Sequence, residues 1–293
     1  MQDNGFLMAT DNHGFEFVAP WDISLFTTIN FHDFNFEGYL LPSRLVSYSQ
    51  EFSLCPGNMV VKMAQEGNLP IVRSMTFQWV TKDGPVGYGA RIRIKIRERF
   101  GRVLGESTFS KHNTYYMFSE GQWVEIARHT LVLINTWNGR KKKLPDWFKE
   151  VPEDSSTFEN GQHIQLIPKP SQVFSNPDRN WHPEHFSSDV MARPSDCDMN
   201  KHVNFANYVS MYENDRHYNG HGAHTCRCLY IEYMRETRIE SLDSINLRIH
   251  AEKSEIVAGQ LRTKLYLVKD AETTITRCLW IEDSDAAPKA SSL

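Results

Sequence analysis

The feature that most limits how this chain can fold is an order of segments that occurs twice along it. Each half has a short polar segment, then a helical segment, and then several β-rich stretches, which begin with residues 74–80 and 228–234. In the first half, Ile92, Ile94 and Ile96 alternate with charged residues, as is typical of a strand with one buried face. One helix followed by long antiparallel strands, twice over, predicts an α+β fold made by internal duplication.

The polar segments indicate how the two halves correspond. They match at a constant offset, and the helical segments that follow match after a short slip in that offset. The matched residues are Asp33, Asn35 and Glu37 in the first half against Asp198, Asn200 and His202 in the second. The alternative is that two unrelated α+β stretches share a few residues by chance. We predict domains over 1–140 and 186–293, with 141–185, rich in Pro, Asn, Asp and Lys, as the linker.

The second polar segment carries the residues best suited to chemistry. Asp198, Asn200 and His202 occupy every second position, so in an extended segment all three side chains point to one side. A helical segment starts directly after them, and the N–H groups of a helix N-terminus stabilise a developing oxyanion. A carboxylate, an amide and an imidazole at that place predict chemistry on a carbonyl group.

The same segment resembles the second catalytic motif of the plant-type acyl-ACP thioesterases. The resemblance covers roughly residues 190–250, and it is carried by Arg193–Asp196, Asp198–Asn204, Tyr208 and Ile231–Thr237. It implies a double hot-dog fold, in which each half wraps a curled antiparallel sheet around one long helix. It also implies that Asp198, Asn200, His202 and Glu236 are the catalytic residues, and that the first half is the acyl-pocket half.

The chemistry of each residue type fits thioester hydrolysis. Asp198 is the first candidate for base or nucleophile, and Glu236 is its competitor or partner, because paired carboxylates can share the proton transfer. Asn200 is suited to holding the thioester oxygen or the water, and His202 to donating to the leaving thiolate. Thr237 stands where plant enzymes usually have Cys, and a Thr hydroxyl is a poor nucleophile without a base beside it. We therefore assign Thr237, with Asn204, to substrate binding.

Each of these residues also has an ordinary structural explanation. Asp198 or Asp196 can cap the following helix, and Asn200 and Asn204 are common turn formers. His202 alone is more often a buried polar group, and Glu236 beside Arg235 is more often a surface ion pair.

The interpretation that combines these observations is hydrolysis of a fatty or polyketide-like acyl thioester by carboxylate-activated water. The acyl group is carried by acyl carrier protein or CoA, and the reaction implies no cofactor or metal. One alternative is a hot-dog hydratase or dehydratase, whose motif is Asp-x-Asn-Pro-x-His; here His202 is one residue closer and Lys201 replaces Pro. The other alternative is a non-hydrolytic protein that binds acyl thioesters, in which Thr237 marks lost catalysis.

The first half contains an apolar run that precedes its helix. If this half houses the acyl chain, that run is a candidate pocket lining, although ordinary core packing explains it equally well. Its members are Phe31, Phe34, Phe36, Tyr39, Leu40 and Leu41.

The composition of the chain says more about its expected compartment and binding partners than about its activity. The 293 residues carry a formal net charge of -4, which gives no reason to expect binding to nucleic acid or to anionic membranes. The sequence has five cysteines without CxxC spacing, no secretory signal and no run of 18 apolar residues, so we expect a soluble cytoplasmic protein without membrane insertion. It is expected to be a monomer or a homodimer.

Two further clusters are candidates for binding sites. The basic run 140–143 is more often a solvated surface than a site for CoA or carrier-protein phosphates. His217, His221 and His224 have short spacings, but Gly220 and Gly222 interrupt the helix that would align them. A polar loop is therefore the favoured interpretation, and no metal site is predicted.

Overall fold

A computed structural model provides the fold. It describes residues 9–10, 13–19, 22–35, 38–54, 58–81, 86–87, 92–152, 186–198, 201–218, 226–237, 239, 245–251, 255–257, 261–270 and 273–283. Most of the expected linker, together with Glu37, Asn200, His221 and His224, lies outside these ranges. No helix among the described residues is long and apolar enough to cross a membrane.

The described residues form 14 strands and three α-helices. The first half contains β1 (Ala9–Thr10), β2 (His13–Ala19), β3 (Asp22–Thr28), α1 (Pro42–Ser53), α2 (Met59–Gln65), β4 (Leu69–Trp79), β5 (Arg93–Gly105), β6 (Thr108–Ser119), β7 (Gln122–Trp137) and β8 (Arg140–Lys141). The second half contains β9 (Phe186–Ala192), α3 (Phe205–Tyr218), β10 (Cys226–Tyr233), β11 (Ile245–Ala251), β12 (Glu255–Val257), β13 (Leu261–Asp270) and β14 (Thr273–Asp283). Short 3₁₀ turns lie at Phe31–Asp33, Asp146–Glu150 and Pro194–Asp196.

The strands form one large antiparallel sheet whose two wings have the same order. One wing runs β3-β5-β6-β7-β4, and the other runs β9-β11-β13-β14-β10. β4 and β10 pair in the middle, where Thr76 lies opposite Tyr230. The antiparallel sheet predicted from the sequence is therefore present, and the same connectivity is used in each half.

The helices differ from the expectation of one helix in each half. Pro42 occupies the first turn of α1, where its missing N–H costs nothing because that group has no partner within a helix. The first half then adds the short helix α2, which was not predicted. Asn58 begins it, because its side-chain oxygen accepts the Val60 N–H at 2.9 Å.

The core of the first half is apolar along most of the sheet. Ile94 and Ile96 are fully buried, which confirms the inward face predicted from their alternation with Lys95. Leu45 and Val46 of α1 are also fully buried, as is Phe77 of β4. By contrast, Phe31 is 72% exposed, so this member of the apolar run does not line a buried pocket.

A buried polar cluster crosses the sheet beneath the second half of α1. Its members are Glu98 on β5, Lys111, Asn113 and Tyr115 on β6, and His129 on β7, with Ser49, Ser53 and Asn58 above them. Glu98, Asn113 and His129 lie directly opposite one another on adjacent strands. Lys111 Nζ is 2.8 Å from Glu98 Oε2, and both side chains are almost completely buried. Inward positions of β5 and β6 are thus charged or polar, which strand patterns do not anticipate.

Hydrogen bonds determine which nitrogen of the His129 imidazole carries a proton within the buried polar cluster. The Tyr115 hydroxyl donates to Leu45 O at 3.0 Å, so it accepts from His129 Nδ1, 2.5 Å away. His129 Nε2 then accepts from Asn113 Nδ2 at 2.9 Å. Burial, followed by the charge of Lys111, holds the pKa of His129 well below its ordinary value. The imidazole is therefore neutral, with its proton on Nδ1.

A buried carboxylate joins the helices of the two halves. Glu213 on α3 is 3% exposed, and its Oε1 accepts the Ser43 N–H at the start of α1 at 2.9 Å. Its Oε2 has no hydrogen-bond partner among the described residues. Burial raises the pKa of Glu213 to about 7, and the Ser43 hydrogen bonds and Arg44 only partly oppose this.

We expect Glu213→Gln to stabilise the protein at pH 8 and to leave its stability nearly unchanged at pH 4. The folded protein holds the Glu213 proton more tightly than the unfolded chain, so this contribution to stability is complete below the unfolded pKa near 4.5 and is lost as pH rises through about 7. A shift of that size corresponds to roughly 3 kcal/mol in the free energy of unfolding.

Denaturant unfolding of both proteins from pH 4 to pH 8 measures this difference. Gln keeps the acceptor for the Ser43 N–H, so the substitution removes only the charge. A difference between the two proteins that does not grow with pH would contradict the assignment.

Candidate active site

The segment before α3 closes into a turn, and not into the extended conformation in which its alternating polar side chains would share one side. Asp198 N–H donates to His202 O at 2.8 Å, and Lys201 N–H donates to Asp198 O at 3.0 Å. Lys201 has φ 63°, the left-handed conformation that closes such a turn. The Asp198 side chain takes part, because its Oδ1 accepts the His202 N–H at 3.2 Å.

The first half contains the same turn, and it corrects the offset between the halves. Asn35 N–H donates to Tyr39 O at 2.8 Å, and Asn35 Oδ1 accepts the Tyr39 N–H at 2.8 Å. Gly38, with φ 82°, takes the place of Lys201. Asn35 is therefore the counterpart of Asp198, and Tyr39 is the counterpart of His202.

This offset also holds just before the turn and along the helix. Asp33 Oδ2 accepts the Asn30 N–H at 2.7 Å, and Asp196 Oδ2 accepts the Arg193 N–H at 2.7 Å. Asp33 therefore corresponds to Asp196, not to Asp198 as the sequence comparison assumed. With this correction, one offset aligns the turns and the helices, and no slip is needed.

His202 and Glu236 form the central pair of the site. His202 Nε2 lies 3.4 Å from Glu236 Oε2, and the two side chains are 22% and 40% exposed. Glu236 follows the end of β10, and Val203 N–H donates to Thr237 O at 2.8 Å. Ile239 N–H donates to Lys201 O at 2.9 Å, so hydrogen bonds on both sides of Glu236 hold its segment against the turn.

Asn204 has a structural contact that accounts for its position. Its Oδ1 accepts the Ala206 N–H at 2.9 Å, which caps the N-terminus of α3. The cap that the structural alternative assigned to Asp196 or Asp198 is therefore made by Asn204. Binding of substrate by Asn204 stays a prediction, and Asn200 lies outside the described part of the chain.

Two hydroxyl groups lie buried beside the His202–Glu236 pair. Tyr208 in the first turns of α3 is 2% exposed, and Thr237 is 4% exposed. Neither hydroxyl has a hydrogen-bond partner among the described residues. Burial raises the pKa of Tyr208 to about 12; the interaction of its hydroxyl with the Thr237 hydroxyl opposes this rise, and the negative charge of Glu236 adds to it. The sequence motif includes both residues but gives no sign that their hydroxyls lack partners.

The thiol closest in sequence to the site is not activated. Burial raises the pKa of Cys197, and the neighbouring carboxylates of Asp198 and Asp196 raise it further. Since the thiolate is the reactive form, these effects disfavour Cys197 as a nucleophile. The described residues also contain no group of three or more metal-binding side chains.

Comparison with known proteins identifies the second half. Residues 181–282 match the model of the acyl-ACP thioesterase C-terminal domain, a range that includes the turn, α3 and Glu236. No curated protein matches the sequence.

Solved structures share the fold over nearly the whole chain. A Lactobacillus plantarum protein described as an oleoyl thioesterase superposes with a TM-score of 0.67 at 13% identity, covering 89% of this chain and 96% of its own. The acyl-ACP thioesterase from Bacteroides thetaiotaomicron gives 0.63 at 12% identity, covering 89% and 97%. The 12:0-ACP thioesterase from Umbellularia californica gives 0.62 at 13% identity, covering 89% and 94%. The second half therefore matches the acyl-ACP thioesterase C-terminal domain, 89% of the chain shares the fold of these solved thioesterases, and the protein is a thioester hydrolase.

Proposed function

We propose that this protein hydrolyses fatty or polyketide-like acyl thioesters of acyl carrier protein or CoA, with water activated at the His202–Glu236 pair. The observation that carries the proposal is the 3.4 Å approach of His202 Nε2 to Glu236 Oε2 at the N-terminal end of α3. A carboxylate beside an imidazole supplies a base for water and an acid for the leaving thiolate. Both side chains are partly exposed, so a substrate can reach them.

Hydrolysis of each thioester consumes one water molecule. Glu236 takes a proton from water as the oxygen forms a bond to the thioester carbonyl carbon, and the carbonyl oxygen becomes an oxyanion. The Asn200 amide and the positive end of the α3 dipole are proposed to stabilise that charge. The C–S bond then breaks, the electron pair leaves with sulfur, and the proton passes through His202 to the thiolate. The products are the free acid and the thiol.

Asp198 is proposed to hold the turn and to place a second negative charge near the pair. Its Oδ1 accepts the His202 N–H, which fixes the backbone from which the imidazole projects. Asn35 makes the same bond in the first half, so the bond itself does not need a charge. The charge of Asp198 is therefore proposed to serve the reaction itself, as a second carboxylate beside the pair.

Attack by water is favoured over attack by Thr237. Within the described ranges, no group accepts a hydrogen bond from the Thr237 hydroxyl, so nothing there removes its proton. A Thr hydroxyl that lacks such a base is a poor nucleophile. Thr237 in place of Cys is thus compatible with hydrolysis.

We further propose that the halves are tandem hot-dog domains, with 1–140 as the acyl-pocket half, 141–185 as the linker and 186–293 as the catalytic half. The shared strand order and the repeated turn support the duplication. The buried polar cluster occupies the region beneath the second half of α1. The apolar region near Leu40, Leu45 and Val46 at the first half of α1 is therefore the part suited to an acyl chain.

Asp198→Asn is expected to lower kcat for thiol release by about 10²-fold while the protein stays folded. Asn35 shows that an amide maintains this turn, so the substitution removes the charge and keeps the hydrogen bond. Release of free thiol is measured with a panel of acyl-CoA and acyl-ACP substrates. Asp189→Asn, which removes an exposed carboxylate far along β9, is the matched control.

The panel also separates the alternatives. The best substrate identifies the acyl class and the carrier. Conversion of an enoyl thioester to its hydroxyacyl form without thiol release would replace the proposal with a hydratase. Binding of acyl thioesters without any conversion by the folded wild-type protein would replace it with an acyl-binding protein.

A further inference from the structure

Tyr208 differs from the two tyrosines that pack beside it. The Tyr233 hydroxyl donates to Phe205 O at 3.1 Å, and the Tyr212 hydroxyl hydrogen-bonds to Thr276. The ring of Tyr208 packs edge-on against Tyr233, with centroids 5.9 Å apart, but its hydroxyl has no partner within the described ranges. The hydroxyl of Thr237, which is equally buried, has none either in that part of the chain.

Two buried hydroxyls that have no hydrogen-bond partner among the described residues are suited to binding a small polar ligand. Burial removes water from a hydroxyl, and most buried polar side chains therefore find a hydrogen-bond partner. Here two such groups lie close enough to interact with each other, but neither makes a hydrogen bond of good geometry to a described residue, so each keeps an open donor or acceptor position. A small polar molecule that bridges them satisfies both at once.

The location of the two hydroxyls identifies that molecule. Thr237 follows Glu236 directly, and its backbone is bonded to the turn that carries His202. Glu236 is also close enough to Tyr208 for its charge to raise the pKa of the phenol. The polar atom that the reaction requires beside Glu236 is the oxygen of water.

We propose that the Tyr208 and Thr237 hydroxyls bind the attacking water and orient it toward Glu236, an inference that rests on the proposed hydrolysis. Tyr208 donates to the water oxygen, and Thr237 accepts one of the water protons. The second water proton points to Glu236, which takes it, and the remaining lone pair forms the bond to the carbonyl carbon. Tyr208, whose pKa is raised to about 12, stays protonated at neutral pH and so remains a donor.

Tyr208→Phe and Thr237→Val test this proposal, because each removes one hydroxyl and keeps the shape of the side chain. Each is expected to lower kcat by about tenfold, the effect of losing one hydrogen bond, with KM unchanged. Because both hydroxyls hold the same water, the double variant is expected to lose less than the product of the single losses. Neither single variant is expected to lower the melting temperature by more than a few degrees, since neither hydroxyl has a partner among the described residues.

Tyr212→Phe is the matched control. It removes a buried hydroxyl from the same helix, but one that bonds to Thr276. It is expected to lower the melting temperature and to leave kcat unchanged, the opposite of the result for Tyr208→Phe.

Unchanged kcat in both hydroxyl variants would overturn the inference, and so would a rise in KM with kcat unchanged. If Tyr208→Phe does not fold, the kcat of Thr237→Val decides the question alone. Failure of the proposed hydrolysis is distinguishable, because wild-type protein would then release no thiol from any acyl-CoA or acyl-ACP.

Discussion

Glu236→Gln is expected to lower kcat for acyl thioester hydrolysis by about 10²- to 10⁴-fold, the usual contribution of a general base. Gln has the size of Glu and can still contact His202, so the substitution removes the proton acceptor and little else. Glu236 is 40% exposed, and its segment is held by backbone hydrogen bonds at Val203 and Ile239. Stability is therefore expected to change little. Thiol release under steady-state conditions gives kcat and KM for both proteins.

A variant of His202 distinguishes the contribution of the proposed base, Glu236, from that of its partner. His202→Gln is expected to lower kcat as well, and the combined variant is expected to lose little more than the worse of the two, because the residues act as a unit. Wild-type kcat in Glu236→Gln would remove this carboxylate from the mechanism and leave Asp198 as the base.

Lys111→Met is expected to destabilise the protein by about 3–5 kcal/mol, the usual cost of leaving one charge of a buried ion pair without its partner. Lys111 and Glu98 are 2% and 1% exposed, and Glu98 keeps only the hydrogen bonds from Ser53 and Asn58 after the substitution. Denaturant unfolding measures the change in the free energy of unfolding.

Two comparisons make the Lys111 result specific. Adding Glu98→Gln to Lys111→Met is expected to recover part of the loss, because the amide remains an acceptor for Asn58 and has no charge to bury. Arg128→Met breaks the more exposed pair with Glu125 and is expected to cost only about 1 kcal/mol or less. Equal losses in the free energy of unfolding for Lys111→Met and Arg128→Met would show that burial does not set the cost of breaking the Lys111–Glu98 pair.

The sequence predicted those strands that obey simple patterns. The strand expected over 228–234 is β10, observed over Cys226–Tyr233, and the one expected over 74–80 corresponds to the end of β4, observed over Leu69–Trp79. The start of β4 was missed because it contains Pro70, which cannot donate a ladder hydrogen bond and so weighs against a strand.

The pattern of Ile92, Ile94 and Ile96 marked only the start of β5, which runs over Arg93–Gly105, for a different reason. Glu98 on β5 and Lys111 on β6 are charged residues at inward positions, so the alternation that marks a half-buried strand breaks there. The two residues neutralise each other only after the strands pair. Sequence patterns treat each strand alone and cannot include that interaction.

The candidate site was predicted in part. The motif led to His202 and Glu236, which the fold brings within 3.4 Å across a backbone hydrogen bond between Val203 and Thr237. The predicted offset between the halves was wrong because it paired Asp33 with Asp198, a residue of the same type, although Asp196 is its structural counterpart.

Backbone conformation decides the match between the halves instead, since Gly38 and Lys201 close equivalent turns with positive φ. The unpartnered state of the Tyr208 hydroxyl among the described residues depends on packing between α3 and the segment after β10. No local sequence pattern reports contacts of that kind.

One measurement tests the central claim directly, namely that water activated at the His202–Glu236 pair hydrolyses an acyl thioester. Wild-type protein in excess over a single acyl-CoA or acyl-ACP is allowed one turnover in H₂¹⁸O, and the acid is analysed by mass spectrometry. The account predicts that the acid from this first turnover carries one ¹⁸O atom and that Glu236→Gln forms it far more slowly. An acid without label would contradict the account, because its new oxygen would then come from a carboxylate of the protein, and formation of no acid would contradict hydrolysis itself.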